Sequence, residues 1–228
     1  MADTLTLLQL RTRARERADM VNSSFVTDSE LTGYVNSSYQ EFYDLLTNAV
    51  EDYNISTLNF TISSGNTYAA PTDLYKVRGI DDMTDPANPL PVRLFNFNER
   101  NDYNQINTIA YRFSTVKYKI LGNNLTFLPE SQAQKAYRLW YVPIATLLVN
   151  DNDTAAGING WLEYVVIDSA IKMLIKEESD TKVLFRAKKE LIDRIEAMRS
   201  KRDQSLPEKI SRIATRYSDP YRRTLYNG

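Results

Sequence analysis

The chain has 228 residues, which is long enough to bury a hydrophobic core as one large domain or two small ones. Its 28 Lys and Arg nearly balance 29 Asp and Glu, and a hydrophobic content of 43% argues against wholesale disorder. No apolar stretch approaches the roughly 18 residues of a membrane-spanning helix, and the first residues lack the pattern of a secretory signal, so we expect a protein made in the cytosol.

Two residue types are missing from the composition, Cys and His. Without Cys there is no disulfide, thiolate zinc site, iron–sulfur cluster or thiol nucleophile. Without His there is no Ser-His-Asp chemistry and no imidazole metal site. We therefore expect a protein that is not an enzyme, with no catalytic residues, no cofactor and no metal.

The first part of the chain is typical of two helices. Leu and Ala residues between 5 and 20 recur at helical spacing, opposite the arginine run at 11–17. Thr27 and Glu30 have the spacing of a capping box, which starts a second helix. We predict an N-terminal helical hairpin over residues 1–52. A solvated helix face is the expectation for the arginine run, and nucleic-acid binding is the alternative.

The pattern then changes to a period of two, which is typical of strands, over residues 53–149. Alternation is clear at 58–62 and 137–142, and residues 119–127 have the form of a hairpin around a Gly-Asn-Asn turn. The aromatic content of this part agrees with β propensity. We predict an inserted antiparallel β-domain, either a small barrel or a sandwich.

Helical patterns return in residues 150–203, which we expect to complete the α-domain. Residues 158–176 are apolar on more than one face, as in a central helix of a bundle, and Asp180 is expected to cap the next helix. The predicted fold class is α+β: a four-helix bundle-like α-domain, built from both ends of the chain, with an inserted β-domain and an extended C-terminal tail at 204–228.

The charge of the chain is unevenly distributed. Residues 181–228 hold 13 Lys and Arg against 6 Asp and Glu, so the net charge of this part is positive and that of the rest is negative. Tyr and Arg, the residues enriched at interface hot spots, alternate in the tail. We therefore predict that the tail docks onto an acidic partner surface. The residues assigned to docking are Arg212, Arg216, Tyr217, Tyr221, Arg222, Arg223 and Tyr226.

Three groups of acidic residues are candidates for a metal-binding or catalytic site. The aspartates at 81–85 could hold a divalent cation, but they fall in a Pro-rich stretch where a solvated loop is the expectation. The run at 151–153 lacks the later Gly and Glu of a calcium-binding loop. Glu163 and Asp168 are five positions apart on a predicted helix and point in different directions, so they do not form a glycosidase pair.

The order of these segments, and several sequence runs, resemble the head-to-tail adaptor (connector) proteins of tailed bacteriophages, in a podovirus-like form. The runs that carry the resemblance are EFYDLL at 41–46, PTDLYKV at 71–77, ERN at 99–101, LWYVP at 139–143, INGWLEYVVID at 158–168 and AIKMLIKEE at 170–178. The resemblance spans nearly the whole chain.

This resemblance implies a structural virion protein that forms a ring, typically of about twelve copies, between the portal and the tail or nozzle proteins. The ring would extend the channel for DNA without sequence-specific binding, and the C-terminal segment would grip the portal. The expected partners are other copies of the chain, the portal, tail tube, nozzle or tail fibre proteins and passing DNA, with no membrane. The alternatives are a tail-tube or head-completion subunit, and then a nucleic-acid-binding module or carboxylate-dependent enzyme.

Overall fold

A computed structural model describes residues 2–50, 52–104 and 116–198 of the chain, and all structural statements below refer to these ranges. The architecture is α+β, as predicted, with helices near both ends of the described chain and a curled seven-stranded sheet between them. The helices are α1 (Leu7–Arg17), α2 (Asp28–Ala49), the short α3 (Arg100–Asn104), α4 (Glu163–Lys176) and α5 (Lys182–Met198). The strands are β1 (Ala2–Thr6), β2 (Ser56–Thr61), β3 (Thr67–Ala69), β4 (Leu74–Asp82), β5 (Leu90–Leu94), β6 (Lys117–Leu121), β7 (Asn124–Leu128), β8 (Ala136–Pro143) and β9 (Thr154–Ile158).

Both N-terminal helices begin at capping boxes. At α2 the Thr27 hydroxyl accepts from the Glu30 amide at 3.3 Å, and the Glu30 carboxylate accepts from the Thr27 amide at 3.0 Å, so that prediction is confirmed. Thr6 and Gln9 form a second capping box at α1, which the sequence analysis missed. The helix predicted over residues 5–20 is therefore shorter, because the residues before Thr6 are extended.

Those extended residues form a two-stranded sheet that the periodicity did not predict. β1 pairs antiparallel with β9, with Leu5 opposite Ala155. The helix expected from residue 158 therefore begins only at Glu163. At Gly157 the sheet lies close to the start of α4, since a Cβ there would stand 2.7 Å from Leu162 Cγ. This contact requires a glycine.

The seven-stranded sheet has the order β2-β8-β4-β5-β6-β7-β3. One neighbouring pair, β5 and β6, is parallel, so the prediction of an antiparallel β-domain was wrong for this pair. A connection of more than twenty residues, which includes α3, separates these two strands and allows the chain to return in the same direction. The two edge strands, β2 and β3, lie close to each other: the rings of Phe60 on β2 and Tyr68 on β3 stack with their centroids 4.2 Å apart.

Aromatic rings fill the inside of the curled sheet. Phe127 and Tyr137 stack with centroids 4.5 Å apart, and Phe60 stacks on Tyr137 at 5.5 Å. The alternation that predicted strands at 58–62 and 137–142 places these rings on the inner face. The predicted hairpin at 119–127 is also confirmed as β6 and β7, with Gly122 at φ +60° in the turn.

The helices share a separate apolar core. α4 contacts α1, α2 and α5, and nine of its fourteen residues are buried, including Val165, Ala170 and Ile171. α2 runs antiparallel to α4, since Glu30 pairs with Lys176 near one end of the interface. The sequence predicts Asp180 as the residue that caps α5, and its side chain does accept from the Lys182 amide. The first helical hydrogen bond of α5 is accepted by the carbonyl of Thr181, however, so Asp180 lies one position before the true cap. No helix among the described residues is long and apolar enough to cross a bilayer.

The close approach at Gly157 predicts a marked sensitivity to a single methyl group. We expect Gly157→Ala to lower the free energy of unfolding by about 1–3 kcal/mol, because the new Cβ overlaps the buried Leu162 side chain. Urea denaturation measures this loss. Gly33→Ala is the matched control: Gly33 is exposed in α2 with nothing within 4 Å, so the same change should stabilise by about 0.5–1 kcal/mol. Equal effects of the two variants would contradict the assignment.

Candidate assembly surfaces

A buried carboxylate joins three helices. Asp168 on α4 is 4% exposed; it accepts from the Ser38 hydroxyl of α2 at 2.7 Å, from Lys172 at 2.8 Å and from Lys188 of α5 at 2.6 Å. Burial by itself raises the pKa of this carboxyl, but the two ammonium groups and the hydroxyl outweigh it and hold the pKa below its usual range. Asp168 is therefore charged and fully paired at neutral pH.

Glu41 on α2 completes the cluster. Its carboxylate lies 3.0 Å from the Lys172 ammonium and 3.4 Å from that of Lys188, and it accepts from the Tyr164 hydroxyl at 3.3 Å. Burial opposes charge on Lys188, yet the Asp168 carboxylate and the Tyr164 hydroxyl raise its pKa above the ordinary value. Two carboxylates thus face two ammonium groups, which is the condition under which charges can be held away from water. We call Asp168, Glu41, Lys172 and Lys188 the helix ion cluster.

The sequence predicts that Asp168 and Glu163 do not form a catalytic pair, and the structure gives the two carboxylates different partners. Glu163 binds Arg17 of α1, while Asp168 belongs to the helix ion cluster. The role of Asp168 was missed. A signal was present, since an acid inside an apolar helix with Lys172 four positions later marks an ion pair across one turn.

The arginine run at 11–17 is not simply a solvated face. Arg11 pairs with Asp151 at 2.5 Å and its side chain is mostly buried. Arg15 donates to the carbonyls of Ser23 and Val26 and to Asp28, and so closes the α1–α2 connection. The prediction of a solvated helix face is therefore wrong for Arg11 and Arg15, because acceptors of the same chain occupy their guanidinium groups.

The aspartates at 81–85 are also occupied, and two of them lie in β4 rather than in a loop. Asp81 accepts from the Trp140 indole at 2.7 Å, and Asp82 pairs with Lys135 at 2.7 Å. Asp85 accepts from the Ala87 amide in the following turn. In the described ranges there is no group of three or more acidic side chains that could hold a metal ion.

An open cleft lies where α2 meets the sheet and the segment after β8. It measures about 350 Å³, and we call it the helix–sheet cleft. Its lining is Gln40, Tyr43, Asp44, Tyr75, Ile144, Ala145 and Leu147. Ile144 and Leu147 are 53% and 55% exposed, and Tyr75 is 48% exposed. Such a concentration of exposed apolar side chains marks an interaction surface.

Polar groups at the edge of the helix–sheet cleft hold its walls together. The Tyr43 hydroxyl donates to the Pro143 carbonyl at 2.8 Å, and burial raises the pKa of Tyr43 to about 12. A hydrogen bond to Asp44 raises the pKa of the Tyr75 hydroxyl. The Asp73 carbonyl accepts from the amide of the lining residue Ile144 at 2.7 Å, while its carboxylate accepts from the Tyr141 hydroxyl. The cleft is therefore apolar inside and acidic at its edge.

Other large apolar side chains are exposed on separate parts of the surface. They include Val21 and Phe25 in the α1–α2 connection, Leu90 and Leu94 on β5, and Val183 and Phe185 at the start of α5. The docking residues proposed from the sequence, between Arg212 and Tyr226, lie outside the described residues.

A comparison with known proteins identifies the family of the chain. The model of the SU10 adaptor protein family matches residues 5–222, which is almost the entire chain and includes both helical parts and the sheet. The chain belongs to the SU10 adaptor protein family. It is therefore a phage adaptor-type structural protein and a virion component. The sequence resemblance implied both of these properties. No curated protein matches the chain.

Loss of the buried carboxylate should be costly to this adaptor. We expect Asp168→Asn to lower the free energy of unfolding by about 3–5 kcal/mol, because two ammonium groups lose their main counter-charge away from water. Asp151→Asn is the control, since Asp151 is 56% exposed and its pair with Arg11 should contribute no more than about 1 kcal/mol. Denaturant titration compares the two, and similar losses would contradict the central role of the cluster.

Acid should weaken the adaptor through the same groups. The pKa values of Asp168 and Asp82 are lowered by folding and that of Glu30 falls to about 2, so the unfolded chain binds more protons than the folded chain in acid. Stability is then full above the ordinary carboxyl pKa of about 4 and is lost as the pH falls below it. Thermal unfolding between pH 6 and pH 2.5 measures this loss. A slope that Asp168→Asn leaves unchanged would contradict it for Asp168.

Proposed function

We propose that this protein is the head-to-tail adaptor of a tailed, podovirus-like bacteriophage, and that it forms a ring of about twelve copies between the portal and the tail or nozzle. The observation that carries the proposal is the family match over residues 5–222, because it spans all parts of the chain. In this role the protein is made in the host cytoplasm and ends in the virion at the head–tail interface.

We assign the parts of the chain to separate tasks. Residues 1–52 and 150–203 form a four-helix bundle-like α-domain, and residues 53–149 form an inserted, barrel-like β-domain. Two separate apolar cores support this division, one of helical residues and one inside the curled sheet. The stacking of Phe60 on Tyr68 between the edge strands supports the barrel-like description of the sheet.

Ring formation requires two different surfaces on each copy. A head-to-tail contact that closes by rotation joins one patch to another patch of the next copy. Two separate groups of exposed apolar side chains are suitable for such contacts. One group is Leu90 and Leu94 on the strand β5, and the other is Val183 and Phe185 on the helix α5. The DNA that passes through the ring would not be bound at specific sequences, and its channel would avoid a strongly basic lining, since strong phosphate contacts would stall its passage.

Portal docking is assigned to the segment 204–228. Between residues 199 and 228 there are eight Lys and Arg against three Asp and Glu, interleaved with Tyr. The assigned residues are Arg212, Arg216, Tyr217, Tyr221, Arg222, Arg223 and Tyr226. Arg suits acidic partners because its guanidinium binds carboxylates through two parallel hydrogen bonds, and Tyr adds apolar area at low entropic cost.

The proposal predicts a defined gain in mass. When the purified adaptor is mixed with portal rings, native mass spectrometry should detect about twelve added copies. A variant that lacks residues 206–228 should stay folded by circular dichroism and lose this association. Portal rings that bind a known tail component but gain no adaptor would contradict the proposal.

Two results would favour the alternatives. Association with a tail-tube protein instead of the portal would make the chain a tail or head-completion subunit. Binding to DNA whose affinity falls steeply with salt, without binding to the portal, would favour a nucleic-acid-binding module. Neither result is expected from the adaptor assignment.

A further inference from the structure

The helix–sheet cleft has the size and chemistry of a binding site that no part of the proposed function uses. Its volume of about 350 Å³ has room for about a dozen waters, since one water takes roughly 30 Å³. Tyr75, Ile144 and Leu147 present apolar surface to that water. A ligand that displaces it gains the free energy of apolar burial.

Charge indicates what kind of ligand suits the cleft. Asp44 is the charged residue of its lining, and the carbonyl of Asp73 accepts from the amide of the lining residue Ile144 at 2.7 Å. The described residues carry 19 Lys and Arg against 25 Asp and Glu, whereas residues 199–228 carry eight against three. A basic segment with large apolar side chains is therefore complementary to an apolar cleft with an acidic edge.

One segment of this chain has that composition. Residues 206–226 place apolar side chains between arginines: Leu206, Ile210, Ile213, Tyr217, Tyr221 and Leu225, with Arg212, Arg216, Arg222 and Arg223. The apolar residues can enter the cleft while a guanidinium group reaches the Asp44 carboxylate.

The end of α5 lies within reach of the cleft. α5 and α2 are both antiparallel to α4 and run side by side, with Lys188 3.4 Å from Glu41. At 1.5 Å per residue, the ten residues from Lys188 to Met198 bring α5 to about the level where α2 ends. The cleft residue Tyr43 lies about 12 Å back along α2, and the 19 residues from Met198 to Tyr217 can span up to roughly 60 Å.

We propose that, in the free adaptor, residues 206–226 occupy the helix–sheet cleft of their own chain. Tethering gives the segment a high effective concentration at the cleft, so modest contacts suffice to hold it there. The consequence for assembly rests on the proposed function: the same arginines and tyrosines are withheld until a portal surface competes for them. The contact is thus an autoinhibitory one.

Photo-crosslinking of the full chain tests this occupancy. The chain has no Cys, so a Leu147→Cys variant takes a benzophenone maleimide at one position only. Irradiation of the free protein should produce adducts that mass spectrometry locates in residues 206–226, within single chains. Leu90→Cys is the matched control, since Leu90 is 62% exposed on β5 and outside the cleft, and it should yield several-fold fewer such adducts.

A second variant tests the electrostatic part. Asp44→Asn, made in the labelled Leu147→Cys chain, should lower the adduct yield several-fold, because it removes a carboxylate from the lining. Adducts between two chains would overturn the proposal in favour of a second copy as the occupant. Equal yields from Leu147→Cys and Leu90→Cys, or adducts outside residues 206–226, would also overturn it.

These outcomes are separable from those of the proposed function, because no portal is present in the crosslinking experiment. An adaptor that binds portal rings but shows no adducts would remove only the cleft contact. Adducts without portal binding would instead leave the cleft contact in place and remove the adaptor assignment.

Discussion

The carboxylate of Asp168 lies between three helices, and the arrangement of the helical part follows from the need to neutralise it. Its partners are Lys172 on the same helix, Ser38 on α2 and Lys188 on α5. An unpaired charge in this position would be costly, so only a packing that brings all three partners together leaves it stable. α5 depends on this most, since Ile195 is its one fully buried side chain among the described residues. The helix that leads into the basic C-terminal residues is therefore held by ion pairs as much as by apolar contact.

A second constraint joins the helices to the sheet. Tyr43 donates to the Pro143 carbonyl, and Arg78 of β4 pairs with Asp52 beyond the end of α2. These contacts tie the two apolar cores together at one edge and leave the helix–sheet cleft beside them. A structural protein of a virion must present such surfaces to its neighbours. The same contacts that position the sheet thus create the surface that is open to a partner.

Prediction of surfaces from the sequence was less successful than prediction of elements. Capping at Thr27, the hairpin around Gly122 and the strand at Tyr137 follow from local patterns, and all three are present. The pairing of β1 with β9 was not predictable in this way, because it joins residues 148 to 156 positions apart. Nor could periodicity distinguish a solvated Arg11 from one bound to Asp151. The family, in contrast, was recognisable from runs distributed over the whole chain.

The sequence by itself determined the α+β composition, the start of α2, the strands with clear alternation and the adaptor class, because capping, alternation and family runs are carried by residues that are close in the chain. Tertiary structure alone decided the parallel pairing of β5 with β6, the joining of Glu41 and Asp168 to shared lysines, and the helix–sheet cleft. Each of these depends on which distant segments meet. Contacts between distant segments depend on burial and charge pairing over the whole fold, and a local sequence pattern gives no information about them.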